Sequence, residues 1–185
     1  MTVCSTSEQI AEAQAFYTTW TANETDEQKH YAQGRSTVFS IMQYRVHKDT
    51  GETLWTREQW DELISALDEL GILEAHAAIW HDKDHFPDGR DKPLHFHGVI
   101  RLKPGFEKQI RFLAIRASLP ASRIRRPGDA YAEGKVVTGR LAAEISFYDF
   151  CQYLVHEDER SREQGKFQYP RDEVAASFDF GAFLD

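Results

Sequence analysis

Two histidines separated by a single residue form the pattern in this sequence that is best suited to chemistry. His95 and His97 lie in residues 94–102, whose composition and alternation are typical of a β-strand. Side chains two positions apart on a strand project from one face, about 7 Å apart, so both imidazoles can reach one metal ion. Taken alone the pair is a weak signal, because surface histidines also fall at this spacing.

A polar turn upstream supplies two further candidate ligands. Residues 73–81 predict a second strand that ends at His81, and Asp84 follows in the turn after it. By itself this is an ordinary polar turn, but a hairpin-like return of the chain places it beside His95 and His97. Imidazole nitrogens combined with one carboxylate suit Mn²⁺, Mg²⁺ or Zn²⁺, with water or phosphate oxygen in the open positions. We therefore expect a divalent-cation site at this end of the strands.

A tyrosine in a later helical pattern is the candidate nucleophile. Residues 146–156 predict a helix that Ser146 caps, and Tyr153 lies on the flank of its apolar stripe, at the border between core and solvent. Cleavage of a phosphodiester by a side chain needs a cation that neutralises the non-bridging oxygens and a nucleophile in line with the leaving oxygen. A tyrosine phenolate can act as this nucleophile, and a nearby cation favours the ionised form of the tyrosine side chain. The competing interpretation is an ordinary amphipathic residue at a helix boundary.

Two other tyrosines compete for the same role. Tyr148 lies on the opposite flank of the stripe, and Tyr169 falls in a proline-flanked loop, so Tyr153 is preferred. His85 and His156 are close to these residues in sequence, and we expect them to be structural or solvent-facing.

The charge of the chain is unevenly distributed. The net charge of -8 argues against a nucleic-acid partner, but residues 90–140 hold 12 basic and 4 acidic side chains, a net charge of +8. Without a catalytic pattern nearby, a solvated charged face would explain this basic segment equally well. Beside the histidines and the tyrosine, it predicts contacts with DNA phosphates. The candidate residues are Arg101, Lys103, Lys108, Arg111, Arg123, Arg125 and Arg126.

The elements around these residues predict an α+β fold. The predicted strands are residues 37–46, 73–81, 94–102 and part of 124–137. The predicted helices are residues 56–71, 106–118 and 146–156. The first helix is the best marked, because Thr56 and Gln59 match a capping box and Gly71 matches a helix stop. This order of elements implies a central, mostly antiparallel sheet that carries the His-x-His strand and is flanked by helices.

The remaining sequence features concern the domain organisation and the cellular compartment of the protein. Residues 1–35 are expected to form an acidic arm with a candidate helix over residues 8–20, and residues 36–185 a single domain. No apolar run is long enough to cross a membrane, and two cysteines are too few for a disulfide framework or a zinc knuckle. We expect an intracellular protein with reduced thiols.

Four segments taken in order resemble the motifs of rolling-circle plasmid replication initiators (Rep proteins), within the histidine-hydrophobe-histidine (HUH) endonuclease superfamily. They are His-Asp-Lys-Asp at 81–84, Lys-Pro-Leu-His-Phe-His at 92–97, Tyr-Leu-Val-His at 153–156 and Lys-Phe-Gln-Tyr at 166–169. Their order and approximate spacing also match, and the resemblance runs from about residue 39 to residue 180. Together the four segments are much more specific than any one of them.

This resemblance implies an HUH fold of ferredoxin-like or RRM-like type, with Tyr153 as the catalytic nucleophile. It also implies Mn²⁺ or Mg²⁺ as cofactor, held by His81, Asp84, His95 and His97. The implied activity is the nicking of one strand of a plasmid origin, single-stranded or at an extruded hairpin, through a covalent 5′-phosphotyrosine. The nick leaves a 3′-hydroxyl that primes synthesis by the host replication machinery, and the strands are later rejoined.

The resemblance also implies a setting for this activity. Its members act in the bacterial cytoplasm without a membrane partner, and we expect the same of this chain. Relatives usually continue into an oligomerisation domain, so we expect any homo-oligomer to form through a region absent from this chain.

Other functions are compatible with the same residues. A viral initiator, a relaxase or a single-tyrosine transposase would use the same histidines and tyrosine, and only the cognate DNA separates them. A DNA-binding repressor of its own origin would need neither the metal nor Tyr153 for affinity. A β-barrel oxygenase with a His-x-His and carboxylate site is disfavoured, because the predicted helices leave too few strands for a barrel.

Overall fold

Residues 33–185, which the computed structural model describes, fold into strands and helices that are interspersed along the chain. The strands are β1 (Arg35–Ser36), β2 (Val38–Tyr44), β3 (Leu73–His81), β4 (His95–Leu102), β5 (Lys108–Gln109), β6 (Ile124–Arg125), β7 (Ala130–Ala132), β8 (Lys135–Val137) and β9 (Ala175–Ala176). The helices are α1 (Arg57–Glu69), α2 (Ile110–Ala117), α3 (Gly139–Leu154), α4 (Glu159–Glu163) and α5 (Phe180–Leu184), with short 3₁₀ turns at Ala121–Arg123 and Arg171–Glu173.

Antiparallel pairing of three long strands forms the central sheet. Strand β4 lies in the middle and pairs with β2 on one side and β3 on the other. Two-residue strands extend both edges, so the order is β6-β2-β4-β3-β9. The expected α+β class, with a central antiparallel sheet flanked by helices, is confirmed. Within residues 33–185 the sheet has two edge strands, β6 and β9, and does not close into a barrel.

The alternation of side chains along the central strands builds two cores. On one face, fully buried side chains pack beneath α1 and α2, among them Phe39, Phe96 and Ile100. On the other face, Ile79 and Val99 pack beneath α3 and the C-terminal residues. His81, His95 and His97 share this second face, because each lies an even number of residues from Ile79 or Val99 on its strand. The candidate ligands therefore lie between the sheet and α3.

Helix α1 begins and ends where the sequence predicts. The backbone N–H of Gln59 donates to the hydroxyl of Thr56, and the Gln59 side chain accepts from the Thr56 N–H at 2.9 Å, which completes the capping box. Gly71 follows the helix with a φ of +68°, a conformation that favours glycine. Trp60 and Leu63 are buried on the inner face.

Helix α3 is longer than predicted. It begins at Gly139 rather than at Ser146, which is buried within the helix. Its N-cap residue, Thr138, is of a type that favours this position, although its side chain makes no capping hydrogen bond. The strand expected within residues 124–137 is divided between edge strand β6 and a separate hairpin, β7–β8.

Helix α2 is shorter than predicted. The sequence favours a helix from residue 106, but the helix begins at Ile110. Lys108 and Gln109 instead pair with β1, which is far away in sequence. This non-local pairing overrides the local helical preference.

The candidate helix at residues 8–20 and most of the expected acidic arm lie outside the described residues. Among residues 33–185, no helix is both long and apolar enough to cross a membrane.

A glycine in β4 allows α1 to pack closely on the sheet. A Cβ atom at Gly98 would lie 2.7 Å from the ring of Trp60 and 2.8 Å from that of Phe96. We expect Gly98→Ala to lower the free energy of unfolding by about 1–3 kcal/mol, because the added methyl group overpacks the core. Urea denaturation measures this change. Gly128→Ala is the control, since nothing lies within 4 Å of a Cβ there. Equal losses in both variants would contradict the packing argument.

Candidate metal centre and nucleophile

The register between β3 and β4 brings three of the expected ligands together. His81, at the end of β3, is the direct partner of His95, and Ile79 is the partner of His97. The ring centroid of His81 lies 5.4 Å from that of His95 and 4.5 Å from that of His97. One ring nitrogen from each histidine lies within 4.8 Å of the other two. All three side chains are buried, so the histidines form one cluster largely shielded from solvent.

The fourth expected ligand, Asp84, closes this cluster from the loop after β3. Its Oδ2 lies 3.2 Å from Nε2 of His95 and 3.4 Å from Nδ1 of His81. Ligand atoms a little over 3 Å apart are expected around an ion that lies about 2.1 Å from each of them. The distance from Asp84 to each of the two imidazole nitrogens is therefore compatible with two ligands of one small divalent cation.

Backbone carbonyls fix the orientation of two imidazoles. Nε2 of His81 lies 2.7 Å from the carbonyl oxygen of Leu154, and Nδ1 of His95 lies 2.8 Å from that of Pro93. Because a carbonyl oxygen only accepts hydrogen bonds, each of these ring nitrogens carries a proton, and in the neutral imidazole the opposite nitrogen keeps a lone pair. The two lone pairs face Asp84. Hydrogen bonds of this kind orient the histidines of metal sites.

The facing lone pairs explain why a cation fits here. Nδ1 of His81 is buried and has no hydrogen-bond partner among the described residues, since its contact with Asp84 lacks hydrogen-bond geometry. A nitrogen lone pair and a carboxylate oxygen repel each other unless a second proton or a cation lies between them. Imidazole nitrogens and one carboxylate oxygen together form a donor set that suits Mn²⁺, Mg²⁺ or Zn²⁺.

The protonation of the ligands also suits cation binding. Burial favours the neutral form of Asp84, but His81 and His95 outweigh burial when they carry a second proton and donate to the carboxylate, and they then hold its pKa well below the usual range. Burial lowers the pKa of His97 well below its ordinary value, so this ring is neutral at pH 7 and keeps a nitrogen lone pair. The carboxylate is ionised and the imidazole is neutral, which are the forms that bind metals.

Tyr153 faces the cluster from the last turn of α3. Its ring centroid lies 5.5 Å from that of His97 and 5.5 Å from that of His156. The side chain is 37% exposed, so the residue contacts the candidate ligands and is also open to solvent. Tyr153 is therefore a candidate nucleophile beside the cluster.

The surroundings of Tyr153 keep its phenol protonated in the absence of a cation. Burial raises its pKa, and the carboxylates of Asp84 and Asp158 add to this effect. The positive charges of Lys92 and Arg125 oppose it without cancelling it. A cation bound at Asp84 would favour the phenolate, because opposite charges nearby stabilise the ionised form.

Tyr169, a rival nucleophile in the sequence, supports the ligands instead. It is only 2% exposed, and its ring stacks on that of His81 with centroids 4.2 Å apart. Its hydroxyl group donates to Oδ1 of Asp84 at 3.3 Å and accepts from the backbone N–H of Lys83 at 2.8 Å. Burial raises the pKa of Tyr169, which keeps this donor protonated. Tyr169 therefore positions Asp84, and Tyr153 is the better candidate nucleophile.

His156 is more closely tied to the cluster than its sequence suggests. Of the two expected roles, structural or solvent-facing, its full burial agrees with the structural one, and its ring centroid lies 4.6 Å from that of His81. Its φ of +58° follows the end of α3 in a conformation that favours glycine and costs other residues about 1 kcal/mol. Its Nδ1 donates to the carbonyl oxygen of Phe167 at 2.7 Å, and its Nε2 has no partner within the described part of the chain.

The ligand geometry also groups His156 with His81 and Asp84 as a second candidate set. The Tyr-x-x-His spacing was the available sequence signal, since it places Tyr153 and His156 on one side of the predicted helix, although α3 ends at Leu154 and His156 follows it. His85, in contrast, is exposed at the surface.

Two of the expected DNA-binding residues lie beside the nucleophile. Arg123 and Arg125 line a cavity of about 370 Å³ between α3 and the sheet, which we call the Tyr153 cleft. Besides Tyr153, its walls include Ser40, His97, Arg123, Arg125, Asp149 and Asp158.

The other expected DNA-binding residues lie elsewhere. Arg101 and Arg126 line a separate cavity of about 360 Å³ near the opposite end of β4, where Arg101 pairs with Glu74 at 3.1 Å. The ammonium group of Lys103 donates to the carbonyl oxygen of Gly71 at 2.8 Å. Lys108 lies over the ring of Phe112, and Arg111 is exposed on α2. The basic segment of the sequence is thus distributed over several surfaces.

No protein-family model matches the chain, and a search of curated proteins finds no similar sequence. The function must therefore be argued from the geometry of the site.

The role of Tyr169 can be tested through metal affinity. We expect Tyr169→Phe to weaken Mn²⁺ binding about tenfold, because Asp84 loses the hydrogen bond that orients it. Isothermal titration calorimetry measures the affinity, and His97→Ala, which removes a ligand, should abolish binding. Tyr148→Phe is the control, since its hydroxyl group contacts the carbonyl oxygen of Leu184 outside the cluster. Equal affinities of Tyr169→Phe and wild type would contradict the positioning role.

Proposed function

We propose that this chain is a divalent-cation-dependent HUH endonuclease that uses Tyr153 to nick single-stranded DNA, as a rolling-circle plasmid replication initiator does. The observation that carries the proposal is the contact between the rings of Tyr153 and His97 at the edge of a buried His81–Asp84–His95 cluster. Few other functions require a partly exposed tyrosine beside a cation-binding cluster.

The cation has one part in the proposed reaction. Held by His81, Asp84, His95 and His97, Mn²⁺ or Mg²⁺ would neutralise the non-bridging oxygens of the scissile phosphate. The hydrogen bonds to the carbonyl oxygens of Leu154 and Pro93, and from Tyr169 to Asp84, keep the ligands oriented before substrate binds.

The tyrosine performs the chemical step. The Oη atom of Tyr153 attacks phosphorus and forms a new oxygen–phosphorus bond while the bond from phosphorus to the 3′-oxygen breaks. The phenol proton passes to solvent, and the 3′-oxygen takes up a proton to become a hydroxyl group. Attack of a 3′-hydroxyl on the phosphotyrosine reverses these changes and rejoins the strand. No net hydrolysis occurs, so one phosphodiester is exchanged for another.

The size of the Tyr153 cleft favours a single strand as substrate. A cavity of about 370 Å³ between a helix and a sheet has room for one nucleotide and not for a base pair. A replication origin offers unpaired nucleotides at an extruded hairpin. The free 3′-hydroxyl would then prime synthesis by the host machinery, while the 5′ end stays attached to Tyr153.

A covalent adduct is the direct test of this function. The wild-type chain with Mn²⁺ and a randomised pool of single-stranded oligonucleotides should form a detergent-resistant protein–DNA adduct. Tyr153→Phe should form none, because it lacks the attacking oxygen. Denaturing electrophoresis measures the adduct, and mass spectrometry of the linked peptide identifies the attached residue.

Two tyrosine variants serve as controls for this test. Tyr148→Phe should form adduct at the wild-type level, since Tyr148 faces the C-terminal residues. Tyr169→Phe should also form adduct when Mn²⁺ is saturating. Adduct formation by Tyr153→Phe, or attachment at another tyrosine, would overturn the assignment of the nucleophile. No adduct from any form, even with a supercoiled or hairpin substrate, would favour a DNA-binding repressor.

The position of Arg125 predicts a contribution to DNA affinity. We expect Arg125→Ala to weaken binding of a single-stranded oligonucleotide and to reduce the slope of log affinity against log salt by about 0.7, the value for one phosphate contact. Fluorescence anisotropy at several salt concentrations measures both changes. Lys103→Ala is the matched control, because Lys103 lies beyond the far end of β4. The same reduction in both variants would contradict a DNA path through the cleft.

A further inference from the structure

A second cavity borders the ligand cluster and is separate from the Tyr153 cleft. Its volume is about 570 Å³, and we call it the Phe86–Phe167 groove; its walls include Asp84, Phe86, Lys92, Lys166 and Phe167. The ammonium group of Lys166 also lies 4.8 Å from the centroid of the Tyr153 ring. Because Tyr153 lines the first cavity and contacts a wall of the second, its ring lies between the two. A strand bound across Tyr153 would therefore enter both cavities.

The charges around this groove suit an anionic ligand. Lys92 and Lys166 are half-buried in its walls, and neither forms an ion pair with a carboxylate among residues 33–185. Nearby, the carboxylate of Asp88 is already paired with Arg90 at 2.7 Å. Asp84 is the only carboxylate in the described lining, and a cation bound at the cluster would compensate its charge. The two lysines are therefore available to contact phosphate groups.

Phe167 presents an aromatic surface at a fixed position in the groove. Its side chain is 40% exposed, and the ammonium group of Lys83 lies 4.6 Å from the centroid of its ring. Its carbonyl oxygen accepts from Nδ1 of the buried His156 at 2.7 Å. Its ring meets that of Tyr169 edge to face, with centroids 5.0 Å apart. The backbone of Phe167 is thus anchored beside the ligand cluster, while its ring remains accessible to a ligand.

A second aromatic side chain lies in the same groove. Phe86 is partly exposed in the loop between β3 and β4, and its backbone N–H donates to the carbonyl oxygen of Arg90 at 2.8 Å. The ammonium group of Lys92 lies 5.7 Å from the centroid of its ring. A single exposed aromatic residue is common on protein surfaces. Two in one groove, with lysines that lack ion pairs, match the combination that binds single-stranded nucleic acid, where rings stack on bases and cations contact phosphates.

We propose that the Phe86–Phe167 groove binds the single strand on the side of the scissile phosphate opposite the Tyr153 cleft, with one base stacked on Phe167. Phe86 lies beside this base, and Lys92 and Lys166 contact the neighbouring phosphates. The groove is larger than the Tyr153 cleft, so it has room for at least one nucleotide. Stacking on a ring accepts any base, so this contact contributes affinity rather than sequence preference. The inference rests on the proposed function for its substrate and adds a second binding site for the strand.

Two oligonucleotides of equal charge separate base stacking from phosphate contacts. The probes are a fluorescent octathymidylate and a fluorescent octamer of abasic nucleotides, each bound to the full chain without metal and measured by anisotropy. Phe167→Ala should weaken octathymidylate binding about tenfold, the effect of losing one stacked base, and leave the affinity for the abasic octamer unchanged. Phe106→Ala is the matched control, because Phe106 is 41% exposed and has Lys108 over its ring at 5.8 Å outside the groove. Equal affinities of Phe167→Ala and wild type for octathymidylate would overturn the proposal.

Further substitutions distinguish stacking from apolar contact and test the lysines. Phe167→Trp should bind octathymidylate at least as tightly as wild type, and Phe167→Leu should bind as weakly as Phe167→Ala, since leucine has no flat ring. Lys92→Gln and Lys166→Gln should each weaken binding of both probes and reduce the slope of log affinity against log salt by about 0.7. Lys103→Gln is the control for charge. Wild-type binding by Phe167→Leu, or an unchanged slope in both lysine variants, would overturn the proposed contacts.

The adduct experiment separates this inference from the proposed function. Phe167→Ala retains Tyr153 and the metal ligands, so it should still form the adduct when the oligonucleotide is saturating. A tenfold loss of octathymidylate binding in Phe167→Ala, without any adduct from the wild type, would keep the groove and remove the endonuclease. An adduct from the wild type, with no loss of binding in Phe167→Ala, would keep the endonuclease and remove the groove.

Discussion

The pairing of His81 with His95 across β3 and β4 is the constraint on which the rest of the site depends. A shift of one residue in this register would turn one of the two imidazoles to the opposite face, beneath α1, and no cation could bridge them. The register is secured because both faces of the sheet are packed. Gly98 admits Trp60 on one face, and Val99 lies beneath α3 on the other. The ligand cluster is therefore specified by the burial that stabilises the fold.

The carbonyl oxygen of Leu154 couples this sheet to the nucleophile. The last carbonyl groups of a helix have no partner within the helix, and a buried one must be satisfied from outside. His81 supplies that partner through Nε2, so the end of α3 is held against the ligand cluster. Tyr153 precedes Leu154 and is held with it. In the same way, His156 satisfies the carbonyl oxygen of Phe167, which anchors the segment that leads to Tyr169. The same hydrogen bonds therefore hold α3 against the sheet and fix the orientation of the histidine rings.

What the sequence predicts well is local, and what it misses depends on contacts between distant residues. The capping box at Thr56 and the alternation around His95 are set within a few residues, so α1, β4 and the ligand face are predicted correctly. Tyr169 contacts Asp84 across 85 residues, and no local pattern distinguishes such a support from a loop tyrosine. The late start predicted for α3 has a similar cause, because Ser146 resembles a cap until tertiary packing buries it.

Acidic groups beside a phosphodiester would ordinarily hinder a nuclease, yet under the proposed function those near Tyr153 would make its reaction depend on a bound cation. Burial and the carboxylates of Asp84 and Asp158 raise the pKa of Tyr153, so the phenol is neutral and a poor nucleophile by itself. In the proposed function, a divalent cation held by Asp84 would reverse the local charge, since its two positive charges exceed the single negative charge of the carboxylate. Arg125 acts in the same direction. The carboxylate that would hold the cation is therefore also one that keeps the phenol of Tyr153 protonated without it, so under the proposed function strand cleavage would depend on an assembled metal site.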